Sequence, residues 1–246
     1  MSLKSNEPAG VPPKPWGIPA IIAGLAIPML LWASSLVYVI QHGEPSHMTS
    51  GEIISNLVLQ IVLLDGIFIG VPLIFALWRY RTGWGGLGMK PFDRELWWLP
   101  LAAATGAHIA IIAYAVILQS TGGDSLVPKQ EDINDLFQNK AILPLTGFAL
   151  VISAPVAEEI FFRAFIFGGL IRKLGVFWSM LVSGLIFAAF HVQSANTAGL
   201  ILPFTLVGML FAWLYYRTGS LWPNMAAHAL FNLVSFVLIA AGGGSG

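Results

Sequence analysis

Residues 141–172 read AILPLTGFALVISAPVAEEIFFRAFIFGGLIR. The run is longer than the roughly 20 helical residues that cross about 30 Å of hydrocarbon. Near its middle, Ala157-Glu158-Glu159-Ile160-Phe161-Phe162-Arg163 sets two carboxylates and a guanidinium among apolar side chains. An acidic or basic residue at a span centre costs roughly 2.5–3.5 kcal/mol on insertion scales. A span that keeps three of them needs a reason for doing so. Pro155 lies just ahead of the charges, and a kink, a break or a re-entrant piece is compatible with it.

The rest of the chain resembles this run in composition. Of 246 residues, 57% are hydrophobic and only 10% charged, against roughly 25% charged in an ordinary soluble domain. Further apolar runs fall near 17–40, 53–78, 97–118, 176–192, 198–217 and 220–241. The expectation is an all-α fold: one polytopic transmembrane helical bundle of about seven spans over residues 17–241. Residues 1–16, polar and proline-rich, read as a disordered cytosolic tail, and residues 242–246, GGGSG, as a flexible tail or added linker.

Charge placement orients the bundle. Twelve basic and twelve acidic residues cancel, so no global charge attracts nucleic acid. With the N-terminus cytoplasmic, Lys4, Lys14, Arg79, Arg81, Lys90, Arg94, Arg172, Lys173 and Arg217 all fall inside. Lys129 and Lys140 fall outside, as the bias of basic residues toward the cytoplasm requires. Seven spans then put the C-terminus outside. The stretch 83–98, GWGGLGMKPFDRELWW, reads as an interfacial segment anchored by Trp97 and Trp98. No cysteine is present, which removes disulfides, thiolate nucleophiles and thiolate metal sites.

Helical spacing separates the two glutamates. Residues four apart lie about 40° apart around the axis, so Glu159 can pair with Arg163. Glu158 points elsewhere, free to meet another helix and to take and return a proton. His191, in Phe187-Ala188-Ala189-Phe190-His191, ends the fifth run, with Phe187 one turn earlier able to pack beneath its ring. His228 and Asn232 share one face of the last run. Taken singly, such a histidine is ordinarily interfacial or hydrogen-bonded, and such a pair can serve as interhelical glue. Asp65 and His108, inside spans two and three, match no motif and read as structural hydrogen bonding, while His42 and His47 fall in a loop.

Glu-Glu-x-x-x-Arg, Phe-x-x-x-His and His-x-x-x-Asn, in that order on three spans, resemble the CPBP family of intramembrane proteases. That family includes type II CAAX prenyl endopeptidases and bacteriocin-processing proteins. The resemblance covers residues 141–241 and, more loosely, Leu87-Gly88. Thr218-Gly219-Ser220-Leu221-Trp222-Pro223 also looks like the family. Ala164 stands where many members carry glycine. The resemblance implies hydrolysis of a peptide bond in a membrane-associated protein or peptide. Glu158 with His191 would activate water, His228 and Asn232 would stabilise the oxyanion, and Arg163 would hold Glu159. No cofactor is expected, since the zinc signature His-Glu-x-x-His is absent. A zinc-dependent variant would use Glu158, His191 and His228 as ligands. The rival classes are a proton-coupled transporter, for which no inverted repeat is visible, and a non-catalytic membrane binding or regulatory protein.

Counted from the expected cytoplasmic ends at 1.5 Å per residue, Glu158 and His191 lie about 20 Å deep and His228 about 12 Å. Straight helices with these boundaries would not meet.

Overall fold

A computed structural model describes residues 14–43, 49–123, 137, 140–194 and 197–242. Among them every regular element is helical. Six helical runs are long and apolar enough to cross a membrane. They are α1 (Ile18–His42), α2 (Ser50–Arg79), α3 (Leu99–Ser120), the 48-residue run Leu143–Phe190, α6 (Ile201–Thr218) and α7 (Leu221–Gly242). The long run contains the fourth and fifth expected spans. Gly175, at φ 71 and ψ 176, breaks it into α4 (143–174) and α5 (176–190). Glycine occupies this left-handed φ without the steric cost a Cβ would bring.

The ends of these helices follow from local chemistry. Thr49 and Glu52 form a reciprocal capping box that starts α2. Prolines in the first turns of α1 and α3 sit where no intrahelical donor is needed. Gly219, in the left-handed region at φ 63, ends α6 and lets α7 begin two residues later.

Large apolar side chains face outward along the helices: Leu30, Ile40, Val62, Ile112 and Leu238 are all more than half exposed. A surface of this kind is stable only against lipid. Inside, helices approach closely. A Cβ at Gly208 on α6 would lie 2.7 Å from the Cα of Gly184 on α5, the small-residue contact that substitutes for hydrophobic driving force in a bilayer. An aromatic core surrounds α4: Phe68 of α2 stacks on Phe161 at 4.4 Å, and Phe187 of α5 meets Phe162 edge-on at 5.3 Å.

Two segments of α4 have widened turns with i→i+5 hydrogen bonding, Phe148–Ser153 and Glu159–Phe167. Such turns are frequent at functional sites. The first has a specific consequence. The N–H of Ala154 bonds the carbonyl of Ala149, so the Leu150 carbonyl would next call on residue 155, a proline without a donor.

The N-terminal segment corrects the expectation of a disordered tail through residue 16. Residues 1–13 lie outside the described residues, but Lys14 and Trp16 are buried. Trp16 Nε1 donates to the Phe165 carbonyl at 2.9 Å. Lys14 Nζ donates to the Gly86 carbonyl at 2.6 Å and to the Tyr215 hydroxyl at 3.1 Å. The interfacial segment 83–98 is tied to the same end, because Leu221 N–H donates to Gly88 and Ser220 Oγ to Lys90, both onto backbone carbonyls. Trp97 and Trp98 are exposed, as expected of anchors.

Trp16 and Lys14 rest against Gly169 and Gly168, and Arg172 and Lys173 are exposed beyond them.

Candidate active site

Glu158 and Glu159 lie at the junction where α4 passes into its second widened segment. Their neighbours differ as the helix geometry requires. Glu159 is fully buried, with Arg163 Nε 3.2 Å from its Oε2. The contact is an ion pair without hydrogen-bond alignment, and Nη1 and Nη2 of Arg163 have no hydrogen-bond partner. The guanidinium instead sits over the rings of Phe187, Phe211 and Phe162, at 4.6, 5.4 and 5.9 Å, where cation–π attraction replaces part of the missing solvation.

His228, nearly fully buried on α7, reaches both carboxylates. Its Nδ1 lies 2.9 Å from Glu159 Oε1 and its Nε2 3.8 Å from Glu158 Oε2. A carboxylate paired with a guanidinium only accepts, so Nδ1 carries the proton. Nε2 then faces Glu158 across a gap too long for a direct hydrogen bond. The Glu158 side chain keeps 15% exposure, while its Oε2 is buried without a partner.

His191 donates from Nδ1 to the Phe187 carbonyl at 2.9 Å. Its ring packs between Phe187 and Phe204, each 4.5 Å away. Phe187 also contacts the His228 ring at 6.0 Å, and His191 lies within electrostatic range of Glu158, His228 and Arg163. The three motifs therefore converge on one aromatic-walled centre. Asn232 is the exception. Its amide donates to the Leu150 carbonyl at 2.6 Å, the acceptor that Pro155 leaves without a backbone donor, and one amide hydrogen remains.

Two further residues belong to this centre. Asn224, one turn before His228, is fully buried and donates to Glu159 Oε2 at 3.1 Å and to the Phe211 carbonyl at 2.6 Å. The sequence carried a hint, since Asn224, His228 and Asn232 repeat every four residues along one face. Asp65 accepts from Ser153 at 2.5 Å, the structural hydrogen bond expected of it, and also lies within electrostatic range of Glu158. His108 is likewise hydrogen-bonded, to the Ala104 carbonyl, and packs on Phe231. His42, expected in a loop, is the exposed last residue of α1, and His47 lies outside the described residues.

Zinc would require Glu158, His191 and His228 to converge as ligands. Among the described residues no group of three His, Asp or Glu side chains could hold a metal ion. With Nδ1 of His228 given to Glu159, Nε2 is the ring atom left to it as a donor.

Fold and centre together define a class: a multi-pass helical membrane protein with a buried glutamate–histidine site. Residues 140–234 match the family described as type II CAAX prenyl endopeptidase Rce1-like. The match covers less than half of the chain, and over it the chain is similar to the CPBP family of membrane proteases. It is 37% identical over 97 residues to YdiL of Bacillus subtilis (strain 168), described as a candidate membrane peptidase, a match spanning 39% of this chain and 37% of that protein's length. It is 26% identical over 163 residues to the UPF0177 protein YxdF of Lactococcus lactis subsp. lactis (strain IL1403), spanning 65% of this chain and 86% of the relative. No solved structure matches.

Proposed function

We propose that the protein is an intramembrane endopeptidase that hydrolyses a peptide bond in a membrane-associated protein or peptide with water activated by glutamate and histidine. The observation that carries this reading is the placement of Glu158. It is a carboxylate with a buried, unpartnered oxygen, 3.8 Å from His228, whose ring meets that of Phe187. Glu158, assisted by His191, takes a proton from water as the oxygen attacks the scissile carbonyl carbon. In this reading the free amide hydrogen of Asn232, and His228 once its Nε2 is protonated, stabilise the charge that develops on the carbonyl oxygen. Collapse of the tetrahedral intermediate breaks the C–N bond, and the proton held by Glu158 passes to the departing amine. Glu159, held by Arg163 and Asn224, orients His228 in the manner of the third member of a catalytic triad.

The test is incubation of the purified protein in vesicles with a panel of membrane-anchored peptides, read by mass spectrometry. Cleavage of at least one peptide, lost in Glu158→Gln, supports the reading, and an intact panel with folded protein opposes it. Cleavage survives dialysis against a strong chelator. Loss that only added zinc restores would make Glu158, His191 and His228 ligands.

The proposed orientation keeps the N-terminus cytoplasmic and the C-terminus outside. Lys14, the 86–90 backbone, Tyr215 and Ser220 meet at one end of the bundle, the end that also holds the basic loops. Single cysteines introduced at positions 85 and 174 are labelled from the cytoplasm and one at 130 from outside, whereas labelling of 130 from the cytoplasm overturns the orientation.

A further inference from the structure

We infer that Asn224 is a positioning residue for the centre, fixing the tautomer of His228 through Glu159; the inference rests on the peptidase reading only for its kinetic consequence. Both groups within reach of the Asn224 amide nitrogen are acceptors, the Phe211 carbonyl at 2.6 Å and Glu159 Oε2 at 3.1 Å. The amide orientation is therefore determined by its partners, and both its hydrogens are used. Phe211 belongs to the backbone of α6, so one hydrogen anchors the amide to a rigid helix while the other reaches the carboxylate on α4.

This second bond matters because Arg163 does not supply an equivalent one. Its Nε is 3.2 Å from the same oxygen but off the hydrogen-bond line. Among the described side chains Asn224 gives the aligned hydrogen bond on Oε2 and so sets the rotation of the Glu159 carboxylate. With Oε2 held, Oε1 is directed at His228 Nδ1, 2.9 Å away. The proton stays on Nδ1, and Nε2 is presented to Glu158. Without Asn224, the carboxylate is held by charge alone, which has no directional preference, and the imidazole loses its reason to keep one tautomer.

The test reads the histidine directly. The full chain, labelled with 15N-histidine in detergent micelles, has five histidines, and the His228 resonances are identified by their loss in His228→Gln. In the parent protein they report a single Nδ1–H tautomer. In Asn224→Ala they move toward a tautomer average. On any peptide the parent cleaves, kcat falls roughly 10- to 100-fold, the range seen when a partner orienting a functional histidine is removed, with KM unchanged. Asn224→Asp is the near-isosteric second variant. Its carboxyl donates to Glu159 only when protonated, so the parent-like His228 signal and the activity recover as pH falls. Parent-like His228 resonances in folded Asn224→Ala, or in folded Asn224→Asp at every pH, would overturn the role. If the parent cleaves nothing, the resonances still decide the case for Asn224, and the peptidase reading fails separately.

Discussion

The bundle has two polar regions, and they are built on opposite terms. At one end a staple joins Lys14 and Trp16 to Gly86, Tyr215 and Phe165, with Ser220 and Leu221 bound to the 88–90 backbone. Around Glu158 and Glu159, by contrast, lie all five buried side-chain nitrogens and oxygens without a hydrogen-bond partner among the described residues: Glu158 Oε2, three nitrogens of Arg163 and Asn224 Oδ1. Leaving such groups unmatched costs roughly 1–3 kcal/mol each. A fold that satisfies its polar groups at the staple and leaves them unmatched at the centre separates structure from chemistry.

The comparison breaks most sharply at Glu158. Glutamine keeps the volume and one acceptor but removes the basic oxygen, so cleavage falls by the roughly 10² to 10⁴ of a lost general base, while the melting temperature barely changes. Glu159→Gln should act on the fold instead. It strands the buried Arg163 guanidinium, a loss of about 3–5 kcal/mol when one partner of a buried pair is removed, read as a lower detergent melting temperature. A stable, inactive Glu159→Gln beside an active Glu158→Gln would exchange their roles.

The smallest effect belongs to the staple. Burial, with Lys90 nearby, lowers the Lys14 pKa to about 8 from 10.5. Between those values the unfolded chain keeps a proton that the folded protein has released, so stability rises with pH across this window. The cost of burying the charge is fully present below about pH 8. Melting curves from about pH 7 to about pH 10 should show the rise, and Lys14→Met should flatten it without changing cleavage.

What could be read in the sequence divides along the same line. The Glu159–Arg163 pair was legible because it is local, four residues along one helix, and the spans were legible because lipid demands long apolar runs. Among the described residues six runs can span, close to the seven expected, because Gly175 alone parts the fourth from the fifth. Asn224 was not legible as a partner of Glu159, since a separation of 65 positions carries no periodicity that would pair them. The proline-rich composition before residue 17 concealed Lys14 and Trp16, whose burial depends on glycines at 168 and 169. The bond from Asn232 to Leu150 is an intermediate case. Pro155 announced a missing donor, but only the widened turn showed which carbonyl lacked it.

The central claim, that the unmatched centre performs peptide hydrolysis, is tested most directly by comparing the N-termini of membrane proteins from cells carrying the parent protein, the Glu158→Gln variant or neither. The account predicts one or more new N-termini, in or beside a membrane span, that appear only with the parent. Identical N-termini in all three, or new ones that persist with Glu158→Gln, would contradict it.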